Sequence, residues 1–190
     1  MVTTVPQRKD AARNWHRILE VGRQCLDEGV PVQLNEVARA ASVGVATVYR
    51  HFPTPEALVE TVAAAGLEAL ERHAEQALTA ADPWAALRDF LHAAIDAQMT
   101  DAALPAVLAA SPDALPRTTE LKQRLHGLFG DLLDRAQSTG AADPHLTPAD
   151  IAPLLCGVTY AANMHPPGQR AAAARRYLGV LLEGLRTRPG

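Results

Sequence analysis

The chain has no run of about 18 apolar residues, the length a membrane-spanning helix needs, and its first residues lack the apolar core of a secretory signal. A cytoplasmic protein with no membrane partner is the resulting expectation. Cysteine is nearly absent: Cys25 and Cys156 are the only two, both at apolar helical positions. That is too few for a disulfide framework, so buried, reduced thiols are expected. Aromatic residues are scarce at 4%, and no segment alternates apolar and polar residues between turn signals at strand spacing, which argues against a β-sandwich or barrel. Nucleophile elbows, phosphate loops, zinc-protease helices and paired-cysteine motifs are all missing. No enzymatic activity, no cofactor and no metal are therefore expected. The nearest approach to a metal ligand set is Asp89, His92 and Asp96 on one helical face, with no second cluster to complete it.

What the chain does have is alanine, leucine and charged residues at helical spacing, with 48% hydrophobic content over 190 residues. That suffices to bury a sizeable core, and an all-α fold is expected. Charge is distributed unevenly. Residues 1–52 carry seven Lys/Arg against five Asp/Glu, a balance of +2, and the remainder carries eleven against sixteen, −5, giving the net −3. A basic head on an acidic body places Arg8, Lys9, Arg13, Arg39 and Arg50 where phosphates are attracted locally, whatever the total charge. For Arg8, Lys9 and Arg13 the alternative is a solvated helix start.

The densest pattern lies in residues 34–58. Leu34, Val37, Ala38 and Ala41 recur at i, i+3, i+4 and i+7, and Val45, Val48, Tyr49 and Phe52 repeat the spacing. Two very short amphipathic helices are expected, with Thr47, Arg50 and His51 projecting from the other faces. Ser42-Val43-Gly44 breaks the period between them, and Pro53, which has no N–H to give, stops the second near Phe52. Thr54 then caps a new helix whose first position is Pro55. Helices this short do not persist alone. The preceding helix, about 8–28 and closed by Gly29, supplies Trp15, Ile18, Leu19, Gly22, Cys25 and Leu26 as a surface for both. The product is a three-helix unit of helix-turn-helix type, whose second short helix is the one suited to a DNA major groove. At its start, Val45 and Ala46 are small enough for close approach to base edges, and Thr47 has a hydroxyl for a phosphate or a base.

Arg17-Ile18-Leu19, Glu28-Gly29, the run 37–52 with its Thr-Val-Tyr-Arg-His-Phe core, and Glu56-Ala57-Leu58 together resemble the DNA-binding domain of the TetR (tetracycline-repressor) family. The resemblance covers about a quarter of the chain, the rest agreeing only in length and helical character. It implies a helix-turn-helix DNA-binding domain over 1–54 and a larger helical effector-binding and dimerisation domain over 55–190. It further implies a double-stranded DNA operator, a small-molecule effector and a repressor released from a palindromic operator by that effector. Tyr49 matches a tyrosine whose hydroxyl reaches a phosphate while its ring packs on the core, and His51 matches a phosphate contact. On their own, the residues equally allow a core ring at Tyr49 and plain exposed side chains at Arg50 and His51. Three positions depart from the family pattern: Gln33 stands where a Ser or Thr cap is usual, Ser42 where glycine is common, and Pro55 where a lysine often touches phosphate.

Beyond Pro55, capping and proline signals divide the body into helices at about 56–80, 84–100, 117–138, 148–164 and 169–186, with Prolines 105, 112 and 116 cutting the intervening stretch and Pro153 a candidate kink. Candidate effector-lining residues are Trp84, Phe90, His92, Met99, His126, Phe129, Tyr160 and Met164, each alternatively plain core; they suggest a mostly apolar or amphipathic ligand. Leu154, Leu155, Val158, Ala161 and Ala162, with Tyr177, Leu178, Leu181, Leu182 and Leu185, suit a two-fold interface through the last two helices, the alternative being closure of the body's own core. A different functional class also fits: a helical protein-interaction adaptor that uses its head without DNA.

Overall fold

The computed structural model describes residues 9–187. Among them are nine α-helices: α1 (Lys9–Asp27), α2 (Leu34–Ala40), α3 (Val45–His51), α4 (Pro55–Leu78), α5 (Pro83–Thr100), α6 (Ala103–Ala109), α7 (Pro116–Ser138), α8 (Pro148–Asn163) and α9 (Pro167–Leu185). The all-α expectation holds, and the only extended pairing among the described residues is a single bridge between Ala142 and Arg186. No described helix is long and apolar enough to cross a membrane. Arg8, named above as a candidate phosphate contact, lies outside the described residues.

Helix ends sit within one or two residues of the expected breaks because each has a chemical cause. Thr54 Oγ1 accepts the Ala57 N–H at 3.2 Å to start α4, and Asp82 Oδ1 accepts the Ala85 N–H at 3.0 Å to start α5. At α8, the Thr147 N–H and hydroxyl both donate to Asp150, at 2.9 and 2.6 Å, and hold that carboxyl below its ordinary pKa. Three helices stop in the same way. After α1, the Gly29 N–H returns to Leu26 O and the Val30 N–H to Cys25 O; after α7, Gly140 and Ala141 return to Gln137 and Ala136. After α2, Ser42 and Val43 return to Arg39 and Ala38. This pairing satisfies the last carbonyls only if its pivot residue is left-handed. The pivots have φ of 69° at Gly29, 72° at Gly140 and 52° at Ser42, the one non-glycine.

The described residues fall into two compact units. Residues up to Ala65 together with Asp101–Glu120 form the first, and Gly66–Thr100 together with Leu121 onward form the second. The first buries Trp15, Ile18, Leu34, Val37, Ala38, Val48, Phe52, Leu58, Val62, Leu104 and Val107. It therefore extends past the helix-turn-helix element into the first turns of α4 and all of α6. Gly22 lets α1 pack closely on α4, where a Cβ would stand 3.2 Å from the Leu58 side chain. The second unit is centred on Leu87, Phe90, Leu91, Ile95, Phe129, Leu132, Leu133, Ile151, Leu178 and Leu182.

Two expectations need correction. Cys25 and Cys156 are free thiols but only half-buried. Most of the stripe assigned to a two-fold interface faces inward: Leu155, Val158, Ala162, Leu178, Leu182 and Leu185 belong to the body's own core. Both sides of α8 are apolar, so its periodicity could not tell them apart, whereas the outer side of α9 also carries Arg175, Arg176 and Glu183. The side left open carries Leu154 and Tyr160 on α8 and Met164 just past its end, the latter two 72% and 74% exposed, and Val180 on α9 at 75%.

The strained pivot yields a stability test. Left-handed backbone costs a non-glycine residue roughly 1–2 kcal/mol, part of which glycine returns through a more flexible unfolded chain. Ser42→Gly is expected to raise stability by about 0.5–1 kcal/mol, read from the midpoint of urea unfolding. A lower midpoint would contradict it.

Candidate nucleic-acid interface

Helices α2 and α3 are seven residues each, and neither has a side-chain cap at its start: Gln33 makes none, and Gly44 has no side chain to offer. Their hold is tertiary. Val48 and Phe52 are fully buried, and the Phe52 ring lies 4.7 Å from that of Trp15 on α1. Backbone bonds finish the helix, with Gly44 O accepting from Thr47 at 2.8 Å and Val48 O accepting from Phe52 at 2.8 Å. Phe52 is extended, at φ −130° and ψ 93°, as the residue before a proline prefers.

With the inward side so occupied, the remaining residues of α3 are displayed. Val45 and Tyr49 are 47% and 45% exposed, so the inward stripe is narrower than the four-residue pattern suggested: Val48 and Phe52 anchor the helix, and the two alternate members point out. Ala46 and Arg50 are exposed, and Thr47 is half-buried. Arg39 on α2 is exposed and forms an ion pair with Glu36, which shares its charge at the surface for little stability. Six expected contacts, Arg39, Val45, Ala46, Thr47, Tyr49 and Arg50, thus keep exposed or part-exposed side chains.

His51 differs from them. It is half-buried, its ring edge-on to Trp15 with centroids 5.5 Å apart. Burial, and secondarily the Arg50 guanidinium, hold its pKa below the ordinary imidazole value. At neutral pH it is an uncharged imidazole with one N–H to donate, not a cation.

The effector candidates divide. Phe90 and Phe129 meet in the body's core with ring centroids 5.8 Å apart, and Trp84 and Met99 pack against that core while partly exposed. Trp84 also lies under the Arg186 guanidinium, 5.1 Å from its ring centre. His92 is half-buried. His126, Tyr160 and Met164 are not brought to this group: all three are exposed, because α7 and α8 turn the opposite sides inward. The Asp89, His92 and Asp96 face is taken up by ion pairs, Asp89 with Arg88 at 2.9 Å and Asp96 with Arg175 at 3.3 Å. Sequence reasoning missed one polar element of the core, where the Thr159 hydroxyl donates to Gln98 Oε1 at 3.2 Å between α8 and α5. A glutamine at the seam of an apolar helix was its only signal.

Two short helices joined by a tight turn, braced by a third and displaying one helix, define a helix-turn-helix DNA-binding protein. Comparison with known proteins narrows this. Residues 18–62 match the model of the bacterial regulatory proteins of the tetR family, and residues 82–187 match that of the SbtR-like transcriptional regulator C-terminal domain. The TetR transcriptional regulator SCO0520 from Streptomyces coelicolor is 31% identical, with 92% of this chain and 99% of that one covered and a TM-score of 0.56. A TetR regulatory protein from Mycobacterium vanbaalenii is 33% identical over 95% and 99%, with a TM-score of 0.52. FadR from Bacillus subtilis, solved with stearoyl-CoA, shares the fold at a TM-score of 0.63 over 90% and 99% but is only 16% identical. No curated protein matches. The chain belongs to the TetR family of DNA-binding transcriptional regulators.

The position of His51 makes a prediction that needs no DNA. Its folded pKa is depressed, so the unfolded chain takes up the proton more readily. The stability it contributes is intact above the ordinary value, about 6.5, and is lost as pH falls from there to the folded value. Between about pH 7.5 and 5.5 the wild-type chain should lose more stability than His51→Gln, measured as urea midpoints at each pH. Identical losses would overturn the assignment.

Proposed function

We propose that the protein is a cytoplasmic homodimeric repressor that leaves a near-palindromic operator when a small effector binds its body. The observation that carries the operator contact is the division of α3 into two buried anchors, Val48 and Phe52, and an open face bearing Val45, Ala46, Tyr49 and Arg50. On this reading Val45 and Ala46 meet base edges and a thymine methyl, Thr47 a base or phosphate, and the Tyr49 hydroxyl a phosphate. Arg39 and Arg50 supply charge, and neutral His51 a single hydrogen bond. Pro55 leaves one fewer cation than a lysine there would, which lowers the salt dependence slightly.

Dimerisation is supported by the open apolar side of α8 together with Val180 on α9. Leu154, Tyr160, Met164 and Val180 are large apolar groups in water, and Gly157 and Gly184 beside them are exposed and small enough for helices to approach closely. A near-palindromic operator requires the two heads of such a dimer to stand about one DNA turn apart, roughly 34–36 Å. The effector is apolar or amphipathic, held near Phe90, Phe129, Trp84, Met99 and His92; the stearoyl-CoA of the FadR structure shows that a relative in fold takes such a ligand. Release follows if the effector prefers a conformation whose heads no longer match the half-sites, since a ligand shifts an equilibrium only by its difference in affinity for the two states.

Selection of genomic fragments by the purified protein, followed by titration at several salt concentrations, tests the operator. Affinity should fall steeply as salt rises, whereas an adaptor that uses its head for protein contacts would select no fragment. On the selected fragment, Tyr49→Phe and Thr47→Ala should each weaken binding by about 1–2 kcal/mol with folding intact. Full affinity in both variants would remove these residues from the interface.

A further inference from the structure

We infer that Asp101–Glu120 is a brace built into the DNA-binding unit, and that Glu60 and Arg23, which hold its two ends, are positioning residues for operator binding. Although this segment lies some forty residues further along the chain than the end of the first stretch, it groups with residues up to Ala65 and not with the helices on either side of it in sequence. Besides the buried Leu104 and Val107, two polar clamps hold it there. At one end, the Arg23 guanidinium on α1 donates to the Val62 carbonyl of α4 at 3.1 Å and reaches Asp101 at 3.5 Å, while Asp101 accepts the Ala103 N–H at 3.0 Å to begin α6. At the other end, the Glu60 carboxylate of α4 accepts the N–H groups of Ala114 and Leu115 at 2.6 and 2.8 Å.

Glu60 is the one buried carboxylate among the described residues, 3% exposed. A charged acceptor held in that position forms strong bonds, and losing it would orphan two backbone donors. The clamps also converge on the scaffold of α3. Arg23 belongs to α1, whose Trp15 packs with the rings of Phe52 and His51, and Glu60 lies two residues after Leu58 on α4, whose side chain fits against Gly22 of α1. The brace is entered directly from the end of α5 at Thr100, and α7 begins within it at Pro116. The segment is thus tied to α1 and α4 by these bonds as well as by chain continuity. The inference rests on α3 being the operator-binding helix and adds the route by which its alignment is held.

The test uses the full chain and the operator fragment selected by the wild type. Glu60→Gln removes one carboxylate oxygen and the charge; Arg23→Gln removes the other clamp; Asp101→Asn is a milder second variant at that end should Arg23→Gln fail to fold. Each is expected to weaken operator binding roughly five- to twentyfold with helical content retained. The double variant should lose less than the product of the two, because both act through one segment. Fragments whose half-sites are moved one or two base pairs closer or further apart provide the readout a structural role would not move: the variants should discriminate less among spacings than the wild type. Unchanged affinity, or a loss equal for every spacing and matched by the unfolded fraction, overturns the inference. A wild-type chain that selects no DNA fragment removes the operator assignment itself, and this one with it.

Discussion

The structure depends on the burial of two side chains. A seven-residue helix has too few internal bonds to offset the entropy of ordering its first turn, so α3 depends on the burial of Val48 and of Phe52, whose ring lies against Trp15. Burying two such groups contributes roughly 1.5–3 kcal/mol each, comparable to what nucleation requires. The same two contacts set the rotation of the helix, and with it which residues are displayed. Display and stability therefore have one origin: a change that loosens the anchors also disturbs the face bearing Val45, Tyr49 and Arg50.

Around that anchor the chain is held by sharply defined joints. The bend between α2 and α3 is a left-handed pivot with both returning hydrogen bonds made, and α4 restarts within four residues under the Thr54 cap. A stiff turn fixes the angle at which α3 is presented. Ser42 bears backbone strain at this point where Gly29 and Gly140 avoid it in identical joints, and nothing else in its surroundings accounts for the choice of serine.

In the body, α8 is apolar on both sides, and α9 adds Val180 to an outer side that also bears Arg175, Arg176 and Glu183. One side completes the core through Leu155, Val158, Leu178 and Leu182, and the other presents Leu154, Tyr160, Met164 and Val180 to water. Removing that second face from solvent is the strongest physical reason for a second copy of the chain. The polar pair Gln98 and Thr159 crosses the α5 and α8 seam inside an otherwise apolar interior, where an unmade hydrogen bond is costly, and so it favours one register of the two helices.

Local signals were enough to place nearly every helix, because caps, prolines and glycines act within a few residues of themselves: Thr54, Asp82 and Thr147 at starts, Gly29 and Gly140 at stops, Pro53 as a barrier. The motif around Tyr49 and the helix-turn-helix layout were legible for the same reason. Rotation and partnership were not. Periodicity put Val45 and Tyr49 with Val48 and Phe52, and residue type put Tyr160, Met164 and His126 with Phe90 and Phe129; their exposure separates them. No local pattern links Glu60 to the backbone of Ala114 and Leu115, more than fifty residues away, or Arg23 to Asp101. What the sequence by itself determined is where helices begin, end and carry apolar or polar groups, since those are bonds between near neighbours. Which of two apolar sides is buried, and which distant side chain completes a buried charge, only the tertiary structure decided, because both depend on surfaces that meet only after the chain has folded.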